Sequence, residues 1–175
     1  MMMNKKMIYK RYLNTVASLN KVVLQAILKN SKNGIDPELL FSIIVIEKMN
    51  RGHLSNYILE KTISFVAPSI LIKSDASIGL CQIRVSAARK VSNLSDKIIV
   101  KRLMDPIYNI RTMAKLIRLY KEKNIDKSNL TKTILNLHIT AKSNVPSNVY
   151  LNMYYELVNW SIDRKLFFKI YPKNR

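Results

Sequence analysis

Acid, glycine and cysteine are all scarce in this chain of 175 residues. There is one cysteine, Cys81, so no intramolecular disulfide can form and no Cys-rich metal site can be built. Two histidines, His53 and His138, would need carboxylates at unrelated spacings to hold zinc, so no metal and no cofactor is expected. Three glycines and five prolines are too few for a turn-rich all-β fold. No long apolar run occurs. The longest uncharged one, residues 39–46, is far short of a membrane span, so no integral membrane segment is expected. The N-terminal stretch is broken by Lys10, Arg11, Asn14 and Asn20 and has no apolar core of signal type. The expectation is a protein made in the cytoplasm that reaches any target outside it by release or dedicated export.

What is abundant is positive charge. Thirty Lys and Arg face eleven Asp and Glu, for a net charge of +19. Such a surface draws polyanions: nucleic acid, anionic lipid or the anionic polymers of a cell wall. The basic residues are spread along the chain. No zinc finger, RNP-like strand or dense basic tract appears, which argues against nucleic acid. The length suits one domain, able to bury roughly 70% of the surface its unfolded chain exposes.

Helical periodicity dominates. Residues 5–30 repeat apolar positions at helical spacing, from Ile8 and Tyr12 to Val23 and Ile27. Asp36-Pro37-Glu38 is a cap, a first-turn proline and an acid, and opens a helix to about Asn50. A break is expected at Gly52, then a helix over 54–65, stopped before Pro68. Residues 73–77 are loop-like, and a helix carries 82–91. Asp105-Pro106 repeats the cap-and-proline signal before another long helix. Residues 126–129 connect to a helix over 130–138. A loop at 143–147 precedes a final helix over 149–168. A short hairpin has room between 64 and 78. The natural division is an N-terminal helix, 1–34, packed on a body of 35–175, together one structural domain.

Eight of the eleven acids need no functional role. Asp36 and Asp105 cap helices, Glu38 sits in a first turn, and Asp96, Glu122, Asp126, Glu156 and Asp163 lie in polar stretches or on polar faces. Glu47, Glu60 and Asp75 remain. Glu47 stands out because Leu40, Ile43, Ile44 and Glu47 share one helix face. A carboxylate on an apolar stripe should hold its proton more tightly, as a general acid requires, unless a cation pairs with it. The plain alternative is a helix-end glutamate turned to solvent and paired with Arg51. Glu60 could pair with Lys61 or a nearby arginine. Farther on, Gly79-Leu80-Cys81-Gln82-Ile83 is a glycine turn that allows close backbone approach, and the Gln82 amide can both donate and accept.

Glu47, the segment Gly79-Leu80-Cys81-Gln82-Ile83 and the segment Asp105-Pro106-Ile107-Tyr108-Asn109-Ile110 occur in an order and spacing that resembles the lytic transglycosylase and goose-type lysozyme superfamily. The likeness covers roughly 35–160. It departs at Lys48, where the family has serine, at Met113, where it has glycine, and at Leu137-His138-Ile139-Thr140, where it has an Ala-Tyr-Asn-Gly-like segment. The resemblance implies a mainly α, lysozyme-like helical domain and a muramidase acting on the β-1,4 bond between N-acetylmuramic acid and N-acetylglucosamine. It makes Glu47 the general acid and Asp75 the candidate second carboxylate. It sets Ser77, Gly79, Gln82, Ile83 and His138 along the substrate. The implied partner is the peptidoglycan glycan strand, with delivery machinery or an immunity protein as further partners. A basic nucleic-acid-binding protein and an inactive, glycan-binding relative are the competing readings.

Overall fold

The computed structural model describes residues 5–32, 34–51, 54–123, 135, 138 and 148–171. They are mainly helical, with one two-stranded antiparallel sheet. The central element is α3, Pro37–Arg51. Every residue from Glu38 to Glu47 is buried, so this helix is enclosed on all sides. Asp36 starts it as expected, its Oδ1 accepting the Glu38 amide at 2.9 Å.

The N-terminal stretch forms two helices rather than one. Helix α1 is Lys5–Ala17 and α2 is Lys21–Asn30. The break has a local cause that periodicity does not register. The Asn20 side chain caps α2 by accepting the Val23 amide at 2.9 Å. Both helices pack against α3, and their apolar faces join the same core cluster as α3.

Helix α4, Leu54–Val66, is followed after Ala67 by α5, Pro68–Lys73. The hairpin anticipated between 64 and 78 therefore only begins there, with β1 at Ser77–Ile78, and its second strand lies later, β2 at Ile83–Arg84, paired Ser77 to Arg84 and Ile78 to Ile83. The helix expected from Gln82 starts only at Val85 as α6, Val85–Arg89, because Gln82 has a positive φ of 49° and Ile83 pairs in the sheet.

A helix that periodicity left unassigned follows, α7, Asp96–Leu103. Then comes α8, Pro106–Lys123, whose start is capped by Asp105 Oδ1 accepting the Tyr108 amide at 2.6 Å. The expected final helix is also divided, into α9, Asn148–Arg164, and α10, Leu166–Ile170. Lys165, at φ 49°, makes the bend. The expected break at Gly52 with His53, the connector at 126–129, most of the helix over 130–138 and the loop at 143–147 lie outside the described residues.

Candidate functional site

Glu47 lies near the C-terminal end of α3 and is 3% exposed, so it does not turn to solvent. Nor does it form an ion pair with Arg51 among the described residues. Its Oε1 accepts the Tyr154 hydroxyl at 3.0 Å and lies 3.0 Å from His138 Nε2. Tyr154 comes from α9, which packs along α3, and both it and His138 are buried. A buried carboxylate needs hydrogen-bond donors to be tolerated. Here the donors are a phenol and an imidazole, two groups that can exchange protons. The Glu47–His138 pair can hold one proton in two ways, as carboxylic acid and imidazole or as carboxylate and imidazolium. The family resemblance associates His138 with substrate; the structure sets it against Glu47. Tyr154, one of nine tyrosines, has no sequence signal for this contact.

The Gly79–Gln82 turn connects β1 to β2 and is held from two sides. Asn109 of α8 is fully buried. Its Nδ2 donates to the carbonyl oxygens of Ile78 at 2.9 Å and Leu103 at 2.8 Å, and its Oδ1 accepts the Cys81 amide at 2.8 Å. Gly79 has φ +76°, and a Cβ there would run into the Asn109 amide and the Leu103 carbonyl. The close approach that this glycine permits is therefore to the protein's own backbone and side chain. Gln82 turns inward too, its Nε2 donating to the Gly79 carbonyl at 2.9 Å, and Ile83 is buried in the core. Ser77 is half-buried on β1.

The second hold is Glu60 of α4. Its Oε1 accepts the Gly79 amide at 2.6 Å and its Oε2 pairs with Arg51 Nη2. A chain of contacts thus runs from the last turn of α3 through Glu60 to the glycine turn. Asp75, φ 46°, is engaged elsewhere. Its oxygens accept the Ser86 amide at 2.7 Å and the Ser86 hydroxyl at 2.6 Å, and Arg84 lies 3.6 Å away. Asp75 thus satisfies an amide in the first turn of α6 from a distance in sequence, where the N-cap residue, Arg84, makes no side-chain cap.

Beside the end of α3 is a cavity of about 520 Å³. Arg11, Lys48, Arg51, Tyr57, Leu80 and Pro106 are in its wall. Leu80 belongs to the glycine turn, so this cavity is where the α3 end and the turn face a common space. Glu47 and Asp75 are not in the wall among the described residues. Among those residues there is no group of His, Cys, Asp and Glu able to hold a metal ion, and no helix long and apolar enough to cross a membrane.

No protein-family model, curated protein or solved structure matches this chain.

Proposed function

We propose that the chain is a peptidoglycan-cleaving muramidase with Glu47 as its acid. One observation supports this above the rest. The three segments that carry the resemblance, far apart in sequence, are joined by specific contacts. Arg51 and Glu60 tie the end of α3 to the Gly79 amide, and Asn109 of the Asp-Pro-x-x-Asn-Ile segment holds the Cys81 amide.

In this reading Glu47 protonates the glycosidic oxygen as the bond to the muramyl carbon breaks. Tyr154 and His138 hold the carboxyl in place and, as hydrogen-bond donors, stabilise the carboxylate left on Glu47 when its proton departs. With Asp75 committed to Ser86 and Arg84, and Glu60 to Arg51 and the Gly79 amide, Glu47 is the one of the three candidate carboxylates left for the reaction. That favours the transglycosylase route over hydrolysis. Glu47 then takes the proton of the muramyl 6-hydroxyl, whose oxygen closes on the anomeric carbon to give a 1,6-anhydro end. A hydrolase would use a second carboxylate to direct water.

Purified protein is expected to clear peptidoglycan sacculi and release fragments with anhydro-muramyl ends, read by mass spectrometry. Glu47→Gln should lower the rate by about 100-fold or more, the contribution typical of a general acid, with the fold intact. Reducing ends instead of anhydro ends would reject the transglycosylase route, and undiminished clearing by the variant would reject Glu47. The burial of Glu47 away from the cavity favours one second reading, a glycan-binding protein that does not cleave. It predicts sacculus binding without product.

A further inference from the structure

The cavity at the end of α3 carries three cations in its wall, Arg11, Lys48 and Arg51, and no carboxylate among the described residues. Arg51 is already paired with Glu60. Arg11 and Lys48 each donate to a neutral acceptor, Arg11 Nη2 to the Met49 carbonyl at 2.8 Å and Lys48 Nζ to the Ser18 carbonyl at 3.0 Å, and no ion pair among the described residues includes either. Arg11 is exposed; Lys48 is the more enclosed of the two. It is half-buried, and burial lowers its pKa from the usual lysine value.

A partly desolvated ammonium without a counter-ion is costly, and an anion entering the cavity would offset that cost. Lys48 follows Glu47 directly in α3, and among the described residues it is Lys48, not Glu47, that lines the cavity. Tyr57 and Leu80 supply an apolar wall against which a sugar ring can lie. The Tyr57 ring is itself fixed beneath the Arg51 guanidinium, 4.8 Å from its centroid.

We infer that this cavity is an anion subsite in which Lys48 holds the lactyl carboxylate of a muramyl residue. The inference rests on the muramidase reading for the identity of the glycan, while the cavity and the half-buried Lys48 in its wall stand without it. Lys48 is then a specificity residue. It separates carboxylate-bearing muramyl strands from neutral chitin-like ones.

The test is calorimetric titration of the full-length Glu47→Gln protein, so that ligand is bound and not consumed. The probes are a peptide-free tetrasaccharide alternating N-acetylglucosamine and N-acetylmuramic acid, and the same tetrasaccharide with its carboxylates reduced to alcohols. The reduced ligand is expected to bind about tenfold more weakly, the loss of one charge-assisted hydrogen bond. Adding Lys48→Met should erase that difference, and adding Lys48→Arg should keep most of it. Equal binding of the two ligands overturns the subsite, with no dependence on how any Lys48 variant folds. A difference that survives Lys48→Met overturns it as well. Cleavage is scored apart, on wild-type protein and sacculi. Discrimination without cleavage keeps the subsite and removes the muramidase. Cleavage without discrimination does the reverse.

Discussion

Helix α3 carries two glutamates nine positions apart, and both are 3% exposed. They are satisfied in opposite ways. Glu38 accepts the backbone amides of Phe167 at 3.1 Å and Phe168 at 3.3 Å, closing the start of α10 just after the Lys165 bend. Glu47 meets side chains, a phenol and an imidazole. Backbone amides cannot give up their protons, so Glu38 is a structural clamp between the first turn of α3 and the last helix. The partners of Glu47 can exchange protons, so its surroundings suit acid–base chemistry. A carboxylate's burial therefore says little by itself; the chemistry of its partners separates a clamp from a candidate acid.

The largest effect that would break this comparison is on turnover. Sacculus clearing should fall about 100-fold or more in Glu47→Gln and stay within about twofold of wild type in Glu38→Gln. Comparable losses in both would mean that burial, not partner chemistry, explains the result. Next in size is stability at the turn. Gly79→Ala places a methyl group against Asn109 and the Leu103 carbonyl and imposes a left-handed conformation on alanine. It should cost about 3 kcal/mol by denaturant unfolding. A loss under about 1 kcal/mol would show that the turn does not need its glycine.

The clamp itself gives a smaller effect. Glu38→Ala leaves two amides without their acceptor and should cost about 2 kcal/mol, while Glu38→Gln, with one acceptor oxygen left, should cost less. If the two variants are equally stable, the amide contacts are not what the side chain provides.

The smallest effect is a pair of opposite pH slopes. Burial raises the Glu38 pKa, despite the lowering influence of the two amides. The folded state then binds this proton more tightly than the unfolded one. Its contribution is present below the unfolded carboxylate pKa and is lost as pH rises through the folded value. Glu156, on α9, is the counter-case. Hydrogen bonds from Lys5 and Tyr9 of α1 lower its pKa. Its contribution is present above the unfolded pKa and is lost as pH falls through the folded one. Lowering pH through the carboxylate range should therefore stabilise wild type relative to Glu38→Gln and destabilise it relative to Glu156→Gln. Chemical unfolding at a series of pH values reads both, and slopes of the same sign would sink the contrast.

Much of the helical frame was legible in the chain. Asp36 and Asp105 mark helix starts because an aspartate before a proline offers an oxygen to free amides only a few residues away. Glu47 was legible as a buried acid because helical spacing aligns it with Leu40, Ile43 and Ile44. Breaks were harder to see. Asn20 interrupts a stripe of apolar residues whose period continues across it, and Lys165 bends the last helix through a positive φ that lysine does not announce. The hairpin was misplaced because two-residue strands are too short to show alternation.

The sequence by itself determined a helical protein, strongly basic, with one odd carboxylate on an apolar face and a glycine turn downstream. Those properties follow from local periodicity, capping chemistry and charge, each set within a few residues. Only the tertiary structure decided what each group touches. It gave Glu47 to Tyr154 and His138, the Gly79 amide to Glu60, Asp75 to Ser86, and left Lys48 facing a cavity. Partners from 11 to more than 100 residues away in the chain meet through packing of whole helices, and no short-range pattern encodes that meeting.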